Sequence, residues 1–406
     1  MELLTLDALL EASSLVTAVA RETPVVSARW LSAASGLPVH LKCENLQRSG
    51  SFKVRGAYVR MARLTRDQRE RGVVAASAGN HAQGVAVAAR ALGVAATVFM
   101  PSGASLPKVM ATREYGARVE LVGEIVDDAL LAAQEYAEKT GAVFIHPFNH
   151  PDIVAGQASV GLEVLRQVPD VQTILVPTGG GGLLAGVAAA VAATGSSAAV
   201  VGIQAAAAAA YPASLAAGYP VRLESMSTMA DGIAVAQPGD VPLAVVRALG
   251  VPVRTVSEDG MARALVLLME RSKQVVEPAG SPGVAALLED PAGLQGPVVA
   301  ILSGGNIDPV LLQRLLRWGL AAAGRYLSVT VRLADRPGAL ADLLRVLATS
   351  GANVLDIDHV WTDPGLTIGQ VEVMAQMETR GPEHRDQTVA RLREAGYELV
   401  VVGGDG

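Results

Sequence analysis

Short apolar runs alternate with stretches of helix formers along most of the chain. Runs at 39–41, 73–76 and 95–99 are separated by helical stretches at 56–64 and 81–92. Further runs at 119–121, 143–145, 174–176 and 200–203 follow, interleaved with helical stretches at 129–140 and 183–193. A last run at 298–302 precedes a helix over 309–320. Apolar runs joined by helices are what a parallel sheet buried on both faces requires, so the pattern predicts βαβ units within one large α/β body. At the N-terminus, residues 1–16 set Glu2, Asp7 and Glu11 among leucines, which reads as an amphipathic helix and not as a signal peptide.

The pattern changes after residue 320. Residues 321–325 (AAAGR) read as a hinge, and 326–333 alternate like a half-buried strand. A turn at 335–338 (DRPG), an amphipathic helix at 339–350, strands at 354–360 and 369–377, a helix at 382–395 and a strand at 397–402 complete the chain. This β-α-β-β-α-β order describes a small ferredoxin-like sandwich, a separate domain over 326–403.

Composition narrows the possibilities. A chain of 406 residues suits two to three domains. It is half hydrophobic, yet the longest apolar candidate, 180–193, is too short and glycine-rich to span ~30 Å of hydrocarbon, so the expectation is a cytoplasmic protein without a membrane partner. Lys+Arg number 33 against 39 Asp+Glu, a net charge of -6 with scattered basic residues, which excludes the footprint of nucleic-acid binding. The one cysteine, Cys43, forms no internal disulfide, and no zinc-ligand spacing is present; neither a disulfide scaffold nor a metal is expected.

Four stretches could carry chemistry. In ENLQRSGSFKVRGA (44–57), Lys53 stands between a Ser-Gly-Ser turn and a helix start, flanked by Phe52 and Val54. Desolvation and the positive helix end both favour a neutral amine able to attack carbonyls, although an ordinary surface lysine has the same local pattern. In SAGNHAQG (77–84), small residues after a strand leave helix-start amides open to a carboxylate; an N-cap turn with a satisfied His81 is the plain alternative. Gly179, Gly180, Gly181 and Gly182 join a strand to a helix, an arrangement that cradles phosphate through backbone amides, or simply a flexible link. They fit neither the dinucleotide nor the P-loop pattern. Ser303, in SGGN (303–306) at a strand end, is a turn residue or a hydroxyl placed to meet a ring nitrogen.

Taken in order, SFKVRGA, SAGNHAQG, VPTGGGGLLAG, MADGIAV, VVEPAG and LSGGN resemble the pyridoxal-phosphate enzymes of the two-lobed tryptophan-synthase β-like fold (fold type II), and within it the threonine ammonia-lyases, with serine dehydratases and serine racemases as relatives. The resemblance implies a catalytic domain over 1–321, with a small lobe at about 50–150 inserted in a large one. It implies that Lys53 bonds the cofactor's aldehyde and later removes the substrate α-proton, with Phe52 beside it. Asn80 would bond the ring hydroxyl, Gly179 to Gly182 and the Leu183 amide the phosphate, and Ser303 the ring nitrogen, with Gly232 and Glu277 lining the ring. Ser77, Asn80 and His81 would surround the substrate carboxylate. The β-hydroxyl then leaves, helped by a proton from the cofactor phosphate, and hydrolysis gives a 2-oxo acid and ammonia, 2-oxobutanoate from threonine. Serine racemases place a second serine where this chain has Ala78, so elimination is expected over racemisation.

Departures from that pattern bear on details. Gln204-Ala205 and the following alanines replace a segment that supplies carboxylates to a cation in some relatives. The Pro147-Phe148-Asn149-His150 stretch lacks acidic residues often found there, and Gly156-Gln157-Ala158-Ser159 has Ala-Ser for Gly-Thr; both stretches are expected to flank the side-chain pocket. L-serine, or another β-substituted amino acid, is therefore an alternative substrate, and an inactive amino-acid-binding regulator is the alternative of a different class. The C-terminal domain resembles an ACT domain, which implies an amino-acid effector at Gly338, Ala339 and Leu340 of DRPGAL, facing Asn353 of a partner in a homodimer or homotetramer. Isoleucine is the expected inhibitor and valine an activator.

Overall fold

The computed structural model describes residues 4–361 and 367–403, so the first three residues of the expected N-terminal helix lie outside it; the helix itself runs Leu6–Val16. The chain divides into two compact units, Met1–Pro309 and Val310–Gly406.

The first unit holds two sheets. Its strands are β1 (Val25–Ser27), β2 (Val39–Cys43), β3 (Val73–Ala76), β4 (Ala96–Met100), β5 (Arg118–Leu121), β6 (Val143–Phe144), β7 (Thr173–Pro177), β8 (Ala199–Ala205), β9 (Val253–Val256) and β10 (Val298–Leu302). One sheet has the order β1-β2-β10-β7-β8-β9 and the other β5-β4-β3-β6. All pairs are parallel except β1 with β2. The four-stranded sheet falls in sequence between β2 and β7 of the larger one, so its lobe is an insertion. Every residue of β3, β4, β7 and β10 is buried, which is why these strands read as apolar runs interrupted only by Thr97 in β4 and Thr173 at the start of β7.

Sequence reasoning missed the helix Pro151–Gln167. Its residues 153–161 are all buried by neighbours that include Lys53–Ala62 and Gly182–Ala193, so its middle turns leave no exposed face to reveal a helical period. A Cβ on its Gly156 would lie 2.6 Å from the Cα of Gly56, so only glycine permits this crossing with the helix Lys53–Ala62. The Gly156-Gln157-Ala158-Ser159 stretch thus packs against that helix, and none of the four lines the cavity described below, contrary to expectation. The alanines at 205–210 close β8, make one 3-10 turn (Ala206–Ala208) and start the helix Ala210–Ala217, where Gln204 Oε1 accepts the Tyr211 N–H at 3.0 Å.

Beneath the helix Lys53–Ala62 lies a buried ion network. The fully buried Arg55 donates to Glu44 (2.8 and 2.9 Å), to Glu163 (2.6 and 3.0 Å) and to Ser159 (3.0 Å). Lys42, also fully buried, donates to Glu163 at 2.5 Å and to Gln167 at 2.9 Å. Burial alone would raise Glu44, but the Arg55 guanidinium outweighs it and holds the carboxyl below its ordinary range.

The second unit contains β11 (Tyr326–Ala334), the helix Ala339–Ser350, β12 (Asn353–Val360), β13 (Gln370–Glu378), the helix Pro382–Glu394 and β14 (Glu398–Gly403), with the antiparallel order β12-β13-β11-β14. Leu327, Val329, Val331 and Leu333 alternate inward and pack with Leu343, Leu347 and Leu392 of the two helices. The preceding helix extends to Ala322, so only residues 323–325 of the expected hinge lie outside helix and strand. Among the described residues no helix is long and apolar enough to cross a membrane.

Candidate active site

The carboxyl ends of β3, β7 and β10 and the start of the helix Lys53–Ala62 converge on a cavity of about 520 Å³. Phe52, Lys53, Ser77, Asn80, His81, Gly179, Gly180, Gly181, Gly182, Leu183, Gly232, Glu277 and Ser303 all line it, although they span some 250 positions of sequence. Ala78 lines it as well. This is where open α/β sheets present ligand sites, because strand ends and helix starts leave backbone groups without partners.

Lys53 is the first residue of its helix, half-buried, and its Nζ donates to the Pro147 carbonyl at 3.1 Å. Burial brings its pKa down to about 8, against the opposing pull of the Glu277 carboxylate.

The helix Asn80–Leu92 starts from β3, and Gly79 N–H donates to Ser77 Oγ at 3.2 Å in the turn between them. Asn80 Nδ2 donates to Glu277 Oε1, and Asn306 Nδ2 donates to Asn80 Oδ1 at 2.8 Å and to the Ser49 carbonyl at 2.7 Å. The chain thereby ties the Lys53 turn to the ends of β3 and β10. Burial, with Asp231 nearby, raises Glu277 to about 7. His81 Nε2 bonds the Ile145 carbonyl at 2.7 Å and therefore carries the proton. Burial, aided by the Lys53 charge, pushes His81 down to about 3, so it is neutral. Ser303 is buried, and its hydroxyl donates to the Ala279 carbonyl at 3.1 Å.

Gly181 caps the helix Gly182–Ala193 with φ +95, in the left-handed region. A Cβ there would lie 1.6 Å from the Tyr211 hydroxyl, so both conformation and space exclude a side chain. The first-turn amides of this helix have no intrahelical partner and carry the positive end of its dipole.

Sequence reasoning left other lining residues without a role. Lys108 pairs with Asp231 at 2.9 Å and Arg222 with Asp127 at 2.9 Å, and all four line the cavity. His146 and Phe148 also line it, with Phe148 packed against Gly180. The Pro147-Phe148-Asn149-His150 stretch was the signal for Phe148; the ion pairs join residues some 95 to 123 positions apart and had none. In the second unit, Gly338 precedes the helix Ala339–Ser350 with φ +91, Ala339 is buried, Leu340 is half-buried, and Asn353 opens β12 opposite Glu378.

Residues 16–304 match the family of pyridoxal-phosphate dependent enzymes. The chain belongs to that family. Among similar proteins is an L-threonine ammonia-lyase of Thermotoga maritima, 43% identical over 99% of this chain and 100% of the relative. Another L-threonine ammonia-lyase, from Geobacter sulfurreducens, is 44% identical over 94% of this chain and 95% of its own. A solved structure of maize serine racemase superposes with a TM-score of 0.74 at 35% identity, covering 77% of this chain and 97% of that one.

The family's cofactor is pyridoxal 5′-phosphate, and the donor set of the cavity fits it. Free helix-start amides suit the phosphate, a partly desolvated amine suits the aldehyde, and the Ser303 hydroxyl would offer a neutral partner to the ring nitrogen. Two outcomes follow for this enzyme. Gly181→Ala is expected to weaken cofactor binding at least ~10-fold, since the backbone that presents the amides must move; titration of the cofactor-free protein with pyridoxal phosphate measures it. If Lys53 is the attacking amine, the rate of cofactor capture should rise with pH with a midpoint near 8, because only its unprotonated form attacks. A midpoint near 10.4, the value of an exposed lysine, would refute the burial argument.

Proposed function

We propose that this enzyme is an L-threonine ammonia-lyase that converts L-threonine to 2-oxobutanoate and ammonia. The reading is carried by the convergence of Lys53, the glycine-rich helix start, Asn80 and Ser303 on one cavity, and is supported by the named activity of the relatives that align along nearly the whole chain. When bound, pyridoxal phosphate supplies the electron sink that lets the substrate's α-hydrogen leave as a proton. Lys53, neutral for much of its population near pH 8, receives that proton. The helix start at Asn80, with Ser77 and His81, holds the substrate carboxylate by amides and dipole. Ser303 can turn its hydroxyl from the Ala279 carbonyl to the ring nitrogen, offering a hydrogen bond and no charge. Water lost in the elimination is regained on hydrolysis, so the net products are 2-oxobutanoate and ammonia.

Ala78 presents only a methyl group to the cavity, which favours elimination over racemisation, since no second hydroxyl is there to return a proton. L-serine is the second candidate substrate. The β-α-β-β-α-β order of the second unit supports a ferredoxin-like ACT domain, with Gly338, Ala339, Leu340 and Asn353 at an effector site, in a cytoplasmic homodimer or homotetramer. Values of kcat/KM for L-threonine and L-serine, with and without isoleucine, test both parts. Preference for L-threonine and inhibition by isoleucine are expected; equal rates with and without isoleucine would remove the regulatory half.

A further inference from the structure

His146 follows β6 and lines the cavity one residue from Pro147, whose carbonyl receives Lys53. Its ring is clamped on one edge. Nδ1 accepts two backbone N–H groups, from Phe148 at 3.2 Å and Asn149 at 2.8 Å. The ring stands edge-on to Phe144 (centroids 6.1 Å, 76°) and to Phe148 (4.6 Å, 83°). A nitrogen that accepts two such bonds carries no proton, so the neutral ring must hold its hydrogen on Nε2. Burial, with the Lys53 charge, pushes His146 down to about 4, which keeps the ring neutral. Among the described residues no protein group accepts from Nε2, and the residue is only half-buried. His81, also on the cavity, differs because its Nε2–H is already taken by the Ile145 carbonyl.

A directed N–H with no protein acceptor, beside the catalytic amine, calls for an acceptor on the substrate. The carboxylate of an amino acid already has the helix start at Asn80, where amides and dipole favour an anion. Beyond its carboxylate, a β-hydroxy amino acid carries one further oxygen able to accept a hydrogen bond, its hydroxyl. We propose that His146 Nε2–H donates a hydrogen bond to the substrate's β-hydroxyl and orients it for departure. This rests on the proposed ammonia-lyase function. A neutral imidazole N–H is too weak an acid to give up its proton, so His146 positions the leaving group, and the proton that accompanies it comes from the acid the elimination already uses.

Comparison of two leaving groups tests the assignment, because chloride needs no donor while hydroxide does. In the holoenzyme, kcat/KM is measured for L-threonine and β-chloro-L-alanine in wild type, His146→Leu and His146→Gln, with the visible band of the bound cofactor recorded for each. Loss of one well-placed donor typically costs ~10²-fold. We expect His146→Leu to lose about that much on L-threonine and less than ~3-fold on β-chloro-L-alanine, with an unchanged band. His146→Gln, which restores an N–H, should recover part of the L-threonine rate alone, and it carries the comparison if His146→Leu does not fold. Equal losses on both substrates would overturn the assignment and leave His146 as packing. Wild type that acts on β-chloro-L-alanine but not on L-threonine would instead overturn the functional reading on which it rests.

Discussion

Lys53→Ala is expected to abolish turnover of L-threonine, lowering kcat/KM by ~10⁴-fold or more, the scale on which a positioned acid-base group acts. On the proposed function the variant loses two functions of one atom, because Nζ would both bond the cofactor and receive the α-proton. Its fold should persist: residue 53 opens the helix Lys53–Ala62, alanine is the best helix former, and among the described residues the one side-chain hydrogen bond lost is to the Pro147 carbonyl. Free helix-start amides remain, so cofactor should still bind, without a covalent link and with a shifted visible band. Circular dichroism and dialysis against cofactor-free buffer separate these effects. Retained turnover would show that another group is the base.

Arg55→Ala should have the largest effect on stability of any single change in the first unit. Arg55 makes five of its hydrogen bonds to Glu44, Glu163 and Ser159, and its removal leaves the fully buried Glu44 carboxylate without its directly bonded cation, with the Thr23 hydroxyl and the Lys42 charge as remaining support, while Lys42 still serves Glu163. Breaking a buried pair from one side costs about 3–5 kcal/mol. For a chain of this size that corresponds to a fall in Tm on the order of 10 °C. Lysine would not substitute, since one ammonium cannot span both carboxylates as the guanidinium fork does. The pH dependence has a definite sign. In the wild type Glu44 is held low, so its contribution is present above the ordinary carboxylate pKa of about 4.3 and is lost as pH falls through the lowered one. Without Arg55 the buried carboxyl is raised instead, so the deficit of the variant is greatest near neutral pH and shrinks towards pH 5. Thermal melts of both proteins across that range, with Arg55→Ala/Glu44→Gln as the partial rescue, measure it.

Much of the fold was legible because burial on both faces writes itself into sequence. Strands β3 and β10 are apolar throughout and β7 is so after Thr173, so all three were visible as runs, and the alternating β11 betrayed a sheet with one covered face. The helix Pro151–Gln167 was not visible, because its middle turns, residues 153–161, are covered throughout and leave no exposed stripe to set the period. In the site, the motifs at strand-to-helix junctions were readable since glycine, serine and lysine there have few structural substitutes. What joins them was not. The Arg55–Glu163 and Lys108–Asp231 pairs link residues 108 and 123 apart, and the role proposed for His146 depends on backbone amides that no spacing reveals.

The most direct measurement is product formation by the holoenzyme. Incubated with L-threonine, it should release 2-oxobutanoate and ammonia in equal amounts, and Lys53→Ala should release neither above background. A cofactor-loaded wild-type protein that binds L-threonine yet yields no 2-oxo acid would contradict the account.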